Sequence, residues 1–171
     1  MNTRPERSEA ADYYFTYIDQ VQTGDIREIL DAQLPETVAL LRTVTEEQSL
    51  FRYAPGKWSV REVLSHINDA ERLFAFRALW FARGLDTSLP SFDQNVAISN
   101  AGADARSWSS HVDEFAAVRS ATTTFFQGLT DDAWTRRGIA SDNPFSVRAL
   151  AYIAAGHVTH HARVLRERYI L

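Results

Sequence analysis

The sequence contains no cysteine, one methionine and one lysine, Lys57. The absence of cysteine excludes disulfides, thiolate metal ligands and a cysteine nucleophile, so any thiol chemistry needs a thiol supplied from outside the chain. A chain without cysteine also suits a reducing compartment, and we expect a cytoplasmic protein.

Long apolar runs are missing as well. The N-terminus, MNTRPERSEAADYYF, is polar where a signal peptide needs an apolar run, and no window of about 18 apolar residues follows it. The net charge is −4, and the 18 basic residues are scattered without a long basic run, so a phosphate-tracking surface is not expected. We therefore expect neither a membrane nor a nucleic acid as a partner.

Helical periodicity dominates what is present. Apolar residues recur at spacings of three and four, and no stretch alternates as a half-exposed strand would. Residues 85–103 are rich in proline, serine, asparagine and glycine, which indicates a long crossover with a short helix near 92–98. The sequence predicts an all-α four-helix bundle over residues 26–171, preceded by an N-terminal extension or short helix, residues 1–25, that could also serve as a dimer arm. The predicted helices span residues 26–44, 59–83, 104–129 and 146–169.

Two of these helices begin alike. The segment WSVREVL starts the second helix, and FSVRALA starts the fourth. Ser59 is placed to cap the second helix, with Glu62 three residues later as the return partner of a capping box. Pro35 interrupts the first helix and predicts a kink or a later start there.

The segment GHVTHH, residues 156–161, carries the strongest chemical signal. On a helical wheel His157 and His161 lie about 20° on either side of Leu150, at the centre of the apolar stripe, and His160 lies on its flank. Such an i, i+4 pair can direct two ring nitrogens to one metal ion. His66, in the apolar arc of the second helix, is a candidate third ligand. The alternative is a set of core histidines that satisfy one another as a polar network or a proton relay.

Two blocks, YAPGKWSVREVLSHINDAER at 53–72 and GHVTHHARVL at 156–165, resemble the DinB/YfiT-like superfamily, and the resemblance spans about residues 25–169. Many proteins of this family are four-helix bundles that bind a divalent metal through three histidines. Carried over by position, the ligands are His66, His157 and His161, with His160 as an adjacent, non-ligating histidine. His111 has no counterpart among the ligands and is expected on a helix surface or flank.

The resemblance also implies an activity. Characterised relatives include metal-dependent transferases and isomerases that use small thiols such as bacillithiol or mycothiol. Three neutral imidazoles do not reduce the charge of a bound Zn²⁺ or Ni²⁺, so the ion stays a strong Lewis acid with an open coordination position. Such an ion suits the binding of a thiol for transfer to an electrophile. We therefore expect a metal-dependent thiol S-transferase. The alternatives are a metal-dependent hydrolase and a non-catalytic metal or ligand-binding module. Bundles of this family often pair, so a homodimer is possible.

Three further residues are candidate partners of the ligating rings, because metal-bound histidines usually donate their second N–H to an acceptor. These are Asp69, one turn after His66, Asp93 in the crossover, and His160. For either carboxylate the ordinary alternative is a solvated or helix-capping acid. Arg77, on the same side of its helix as His66, suits either a carboxylate of a substrate or thiol, or a salt bridge at the rim.

Overall fold

The computed structural model describes residues 3–169, and the fold in this range is a helical bundle. Four long helices pack together, and each of the first two in chain order contacts both of the last two. The predicted all-α bundle is therefore confirmed, with one small β-hairpin added. The helices are α1 (Phe15–Ile18), α2 (Ile26–Leu41), α3 (Val60–Ala82), α4 (Gln94–Asn100), α5 (Trp108–Gln127) and α6 (Val147–Arg168), and the strands are β1 (Arg137–Ala140) and β2 (Asn143–Ser146).

The helix starts follow their capping residues. Ser59 and Glu62 form the predicted capping box at the start of α3, since each side chain accepts a hydrogen bond from the other residue's backbone N–H. Ser146 caps α6 by accepting from Ala149 N at 2.9 Å. Pro35 lies inside α2 without ending it.

The two helices that begin alike are also anchored alike. Arg61, two residues after its cap, is buried and forms an ion pair with Glu46 at 2.5 Å. Arg148 occupies the equivalent position in α6 and forms an ion pair with the buried Glu9. Each of the two helices that carry the candidate ligands His66, His157 and His161 is thus fixed near its N-terminus by an arginine on the helix and a glutamate from an earlier segment.

The hairpin between α5 and α6 was not predicted, because strands of four residues are too short to show a periodic pattern. Its turn places Ser141 and Asp142 at φ 50° and 59°, where glycine or asparagine would be the usual sequence signal. Leu89 pairs with Ala140 of β1. The crossover is therefore attached to the hairpin beside the bundle.

A buried ion pair lies at the centre of the bundle. Arg119 of α5 donates two hydrogen bonds of 2.7 Å to Glu71 of α3, and a third of 2.5 Å to Gln33 of α2. Both charged side chains are almost completely buried. A buried pair with this two-bond geometry restricts how the three helices can slide, because any shift would leave a charge without its partner.

The N-terminal residues pack on the bundle of the same chain. Phe15, Ile18 and Val21 belong to the hydrophobic core, and α1 lies against α6. The close approach depends on Gly156, because a Cβ at this position would lie 2.1 Å from the carbonyl oxygen of Tyr17. The division of the chain at residue 25 stays a prediction, and residues 1, 2, 170 and 171 of the predicted ranges lie outside the described part.

None of the helices within residues 3–169 combines the length and the apolar character that crossing a bilayer requires.

We predict that Gly156→Ala lowers the free energy of unfolding by about 1–3 kcal/mol, because the added methyl group forces α1 away from α6. Gly128→Ala is the matched control, since its Cβ would lie 3.6 Å from the nearest atom and make an ordinary contact. The control should change stability by less than about 1 kcal/mol. Urea denaturation measures both, and equal effects would contradict the proposed close packing.

Candidate metal centre

Three imidazole rings from two helices converge inside the bundle. His66 of α3 places its Nε2 3.0 Å from Nε2 of His157, and His161, one turn further along α6, places its Nε2 3.2 Å from the same atom. Each ring offers a nitrogen within 4.8 Å of those of the other two. Nitrogens bound to one tetrahedral ion at about 2.0–2.1 Å are about 3.3 Å apart, so the observed arrangement suits a shared metal ion.

Aromatic side chains hold the rings in place. Trp58, just before the Ser59 cap, lies against His66 with ring centres 5.1 Å apart. Phe74 of α3 contacts His157 edge-on at 5.7 Å. Because His66 and His157 are both buried, their orientation is set by packing and not by solvent.

The three rings cannot satisfy one another by hydrogen bonding. A ring nitrogen carries either one in-plane proton or one in-plane lone pair, so His157 Nε2 can pair with only one of its two nitrogen neighbours. In the described part of the chain, Nδ1 of His66 and Nδ1 of His161 are buried without a partner as well. The residues therefore fit a cation that accepts all three Nε2 lone pairs better than they fit a closed network of histidines.

Burial keeps the rings neutral. It lowers the pKa of His66 to about 4 and the pKa of His161 to about 3. Burial and the neighbouring His161 and His66 lower the pKa of His157 well below 6.5. Neutral imidazole is the form that binds metals, so all three are in the ligating form at pH 7.

The predicted partners of these rings lie elsewhere. Asp93 caps α4 by accepting from two backbone N–H groups, which is the ordinary alternative given above. Asp69 forms an ion pair with Arg72 of the same helix, with Oδ1 of Asp69 3.7 Å from Nη1 of Arg72. Within residues 3–169 neither carboxylate takes a proton from Nδ1 of His66 or His161. The ring of His160 packs edge-on against the rings of His161 and Tyr17, with ring centres 5.0 Å and 5.5 Å apart.

Two other expectations were wrong. His111 is completely buried and its Nε2 lies 2.9 Å from the carbonyl oxygen of Ala103, so it is a core residue and not a surface residue. Of the two alternatives for Arg77, the salt bridge at a rim is the one that failed, because Arg77 forms no ion pair with any residue of the described range 3–169. Its side chain is buried and donates to the carbonyl oxygen of Pro90 and to Ser141 Oγ.

The sequence did not predict that the N-terminal tyrosines reach the site. The ring of Tyr17 lies edge-on to His157 at 5.2 Å, and its hydroxyl lies 3.0 Å from that of Tyr13. The available signal was Gly156, a residue without a side chain directly before His157, which marks a close approach of another backbone.

A cleft of about 100 Å³ leads to the rings. His66 and His157 lie on its wall together with residues of the N-terminal segment, α3, the crossover and the hairpin turn. The cleft thus reaches two of the three rings of the cluster. The other wall residues are Tyr13, Tyr14, Tyr17, Ala70, Leu73, Phe74, Arg77, Phe92, Gln94 and Ser141.

The bundle and its converging imidazoles define a helical-bundle protein with a candidate three-histidine metal centre. Its sequence matches the profile of the DinB superfamily over residues 29–165, and the chain belongs to this superfamily. This match confirms the resemblance of the two sequence blocks. No curated protein sequence matches the chain significantly.

Two solved structures share the fold. YfiT from Bacillus subtilis, described as a probable metal-dependent hydrolase with an unusual four-helix bundle topology, has a TM-score of 0.67 at 18% identity, covering 95% of this chain and 89% of its own. The mycothiol-dependent maleylpyruvate isomerase has a TM-score of 0.69 at 11% identity, covering 85% of this chain and 61% of its own. At these identities the similarity shows the fold alone.

We predict that the metal-free protein loses stability as the pH falls from 7 to 5.5. The unfolded histidines have a pKa of about 6.5 and bind protons in this range, whereas the three rings of the folded cluster, whose pKa values are lowered, do not. Each ring therefore lowers the free energy of unfolding by up to about 1.4 kcal/mol for each pH unit that the pH falls. Above about pH 6.5 the rings are neutral in both states, so the full free energy of unfolding is present. As the pH falls from there towards the lowered pKa values of the folded state, the unfolded state takes up protons that the folded state does not, and the free energy of unfolding decreases.

Urea denaturation in the presence of a chelator measures this dependence. His161→Gln is the comparison, because it removes one of the three groups and should reduce the slope of stability against pH. A flat profile, or the same slope in both proteins, would show that the rings titrate normally.

Proposed function

We propose that this protein is a divalent-metal-dependent enzyme in which His66, His157 and His161 hold the ion. The observation that supports this most directly is the convergence of three Nε2 atoms, from two buried rings and the partly buried ring of His161, that cannot satisfy one another. Imidazole suits several first-row ions, and Zn²⁺ or Ni²⁺ is the proposed occupant.

The cleft supports a catalytic role in preference to a purely structural one. Structural zinc sites are closed by four protein ligands, whereas three histidines leave a coordination position for a reactant. An ion held in this way supplies Lewis acidity, which favours the thiolate form of a thiol or the hydroxide form of water. The residues of the chain hold the ion, and Tyr17 and Phe74 pack against His157 and limit access of water from its sides.

The proposed reaction is S-transfer from a small thiol such as bacillithiol, mycothiol or a related compound. The thiol loses its proton to solvent, its sulfur forms a bond to an electrophilic carbon, and the leaving group departs with the electron pair of the broken bond. One observation favours a thiol, because one structure of the same fold is described as mycothiol-dependent. The absence of cysteine is compatible with this reaction, since no thiol of the chain competes for the ion, but it does not select it.

Hydrolysis is the second candidate. The description of YfiT as a probable metal-dependent hydrolase favours it, and the same three ligands serve either reaction. Pairing into a homodimer and a cytoplasmic location, both expected above, stay predictions.

We predict that protein stripped of metal takes up about one equivalent of Zn²⁺ or Ni²⁺, as a single site requires. His66→Ala, His157→Ala and His161→Ala should each reduce the bound metal to well below one equivalent at micromolar free ion. His160→Ala is the matched control, because it lies on the same helix beside the cluster and should keep the full equivalent. Equilibrium dialysis of untagged protein measures the stoichiometry, and equal binding by His157→Ala and the control would refute the site.

Activity is tested with the metal-loaded protein, a small thiol and a chloronitroarene electrophile. We predict that the parent forms the thioether and that His157→Ala falls to the rate of the metal-free protein. A nitrophenyl ester without thiol is the parallel assay for hydrolysis. Ester cleavage that needs the metal, without thioether formation, would replace S-transfer by hydrolysis. Rates that are the same in parent and variant for both assays would remove the catalytic proposal.

A further inference from the structure

Arg77 is a buried cation without an anionic partner. It lies on α3, and only 2% of its surface is exposed. Within residues 3–169 it forms no ion pair, and its Nε has no hydrogen-bond partner. Its Nη2 donates to the carbonyl oxygen of Pro90 at 3.1 Å and to Ser141 Oγ at 2.7 Å. The side chain of Tyr14 is a further hydrogen-bonding neighbour, and the ring centre of Phe145 lies 5.9 Å from Cζ, so all these partners are neutral.

The other buried arginines of the bundle differ from Arg77 in this respect. Arg119 is paired with Glu71, and Arg61 is paired with Glu46. A buried charge that lacks a counter-charge lowers stability by several kcal/mol, which is why such charges are usually paired in proteins. Burial lowers the pKa of Arg77, yet a guanidinium stays protonated at neutral pH. The charge therefore persists in a place where the fold supplies no anion.

Arg77 lies on the same cleft as two of the histidines. The guanidinium lies on the wall of the cleft that also contains His66 and His157. Eleven residues separate Arg77 from His66, which is about three helical turns, so both side chains point to the same side of α3 about 16 Å apart along its axis. The cleft wall contains no aspartate or glutamate among the described residues, and Arg77 is its one cationic side chain.

We propose that Arg77 binds a carboxylate of the substrate or of the cosubstrate thiol, while the reacting atom of that molecule lies at the histidine cluster. A guanidinium presents its donors in a planar fork that matches a carboxylate. Ser141 and Pro90 accept from Nη2 and leave Nε–H without a partner among the described residues. The walls between the two ends are aromatic and aliphatic, so the ligand has an apolar middle and one anionic end. The binding of the carboxylate by Arg77 is independent of the proposed function, and only the placement of the reacting atom at the histidine cluster rests on it.

Binding of benzoate to the metal-free protein tests the proposal without using metal or turnover. Benzamide is the neutral isostere. We predict a dissociation constant for benzoate of about 1–10 mM and no saturable binding of benzamide in this range. Arg77→Gln should weaken benzoate binding by about tenfold or more, and Arg77→Lys should weaken it less, because lysine keeps the charge but not the fork.

Arg72→Gln is the matched control. Arg72 lies on the same helix but is half-exposed and pairs with Glu114 at 2.7 Å, away from the cleft. This variant should bind benzoate as the parent does. Titration followed by heteronuclear NMR gives all the affinities. No binding of benzoate by the parent, or equal binding by the parent and Arg77→Gln, overturns the proposal.

Arg77 also connects the crossover and the hairpin to α3, so Arg77→Gln could fail to fold. The Nε–H resonance of Arg77 in the parent then decides the question. It should shift with benzoate and not with benzamide, and an unmoved resonance overturns the proposal.

A final experiment distinguishes the two sources of the carboxylate. Glutathione is added to the metal-loaded protein with benzoate bound. Displacement of benzoate assigns the carboxylate to the thiol, and retention assigns it to the electrophile. If the metal-free protein binds benzoate through Arg77 but the protein takes up no metal, the anion site stands and the proposed function fails. If the protein takes up metal but does not bind benzoate, the proposed metal site stands and the anion site fails.

Discussion

Three imidazole nitrogens converge between two helices of the bundle, and the proposed function depends on this convergence. His157 Nε2 faces the Nε2 atoms of both His66 and His161 at hydrogen-bond distance, and the bonding capacity of one ring nitrogen is too small for two partners. A protein interior rarely leaves buried polar atoms unsatisfied, because each costs free energy. The arrangement is therefore best understood as a ligand set, and the inferences about metal, cleft and reaction all follow from it.

The surrounding fold makes this arrangement rigid. α3 and α6 each begin at a capping serine and are held near that end by an arginine and a glutamate, and Arg119 with Glu71 fixes α3 against α5. Gly156 allows α1 to approach α6, which brings Tyr17 to the ring of His157. Ligands placed on helices that cannot slide are oriented before an ion arrives, and this lowers the entropy that binding must offset.

Much of this could be predicted from the sequence. Apolar periodicity and capping residues give the long helices to within a few residues, and the i, i+4 spacing of His157 and His161 on an apolar stripe places both rings in the core. That His66 meets them depended on the resemblance as well as on its position in an apolar arc. Local patterns of this kind are readable because a helix fixes the direction of each side chain.

The rest depends on contacts between distant segments. Asp93 is the exception, because its helix-capping role is local and was one of the two alternatives that the sequence offered. The burial of His111, the packing of Tyr17 on the site and the lack of an anion near Arg77 follow from tertiary packing, which no local pattern records. The hairpin was missed because its strands are four residues long and its turn has no glycine. Tyr17, Arg77 and the hairpin turn all border the cleft, so sequence patterns located the candidate ligands better than they described the space around them.

X-ray absorption spectroscopy of the zinc-loaded protein tests the central claim most directly. The account predicts about three imidazole nitrogens at about 2.0 Å, with the multiple-scattering signature of histidine rings and no sulfur ligand until a thiol is added. Addition of a small thiol should introduce one sulfur at about 2.3 Å if the reaction is S-transfer. A spectrum with one imidazole or none would contradict the convergence of His66, His157 and His161 on a single ion.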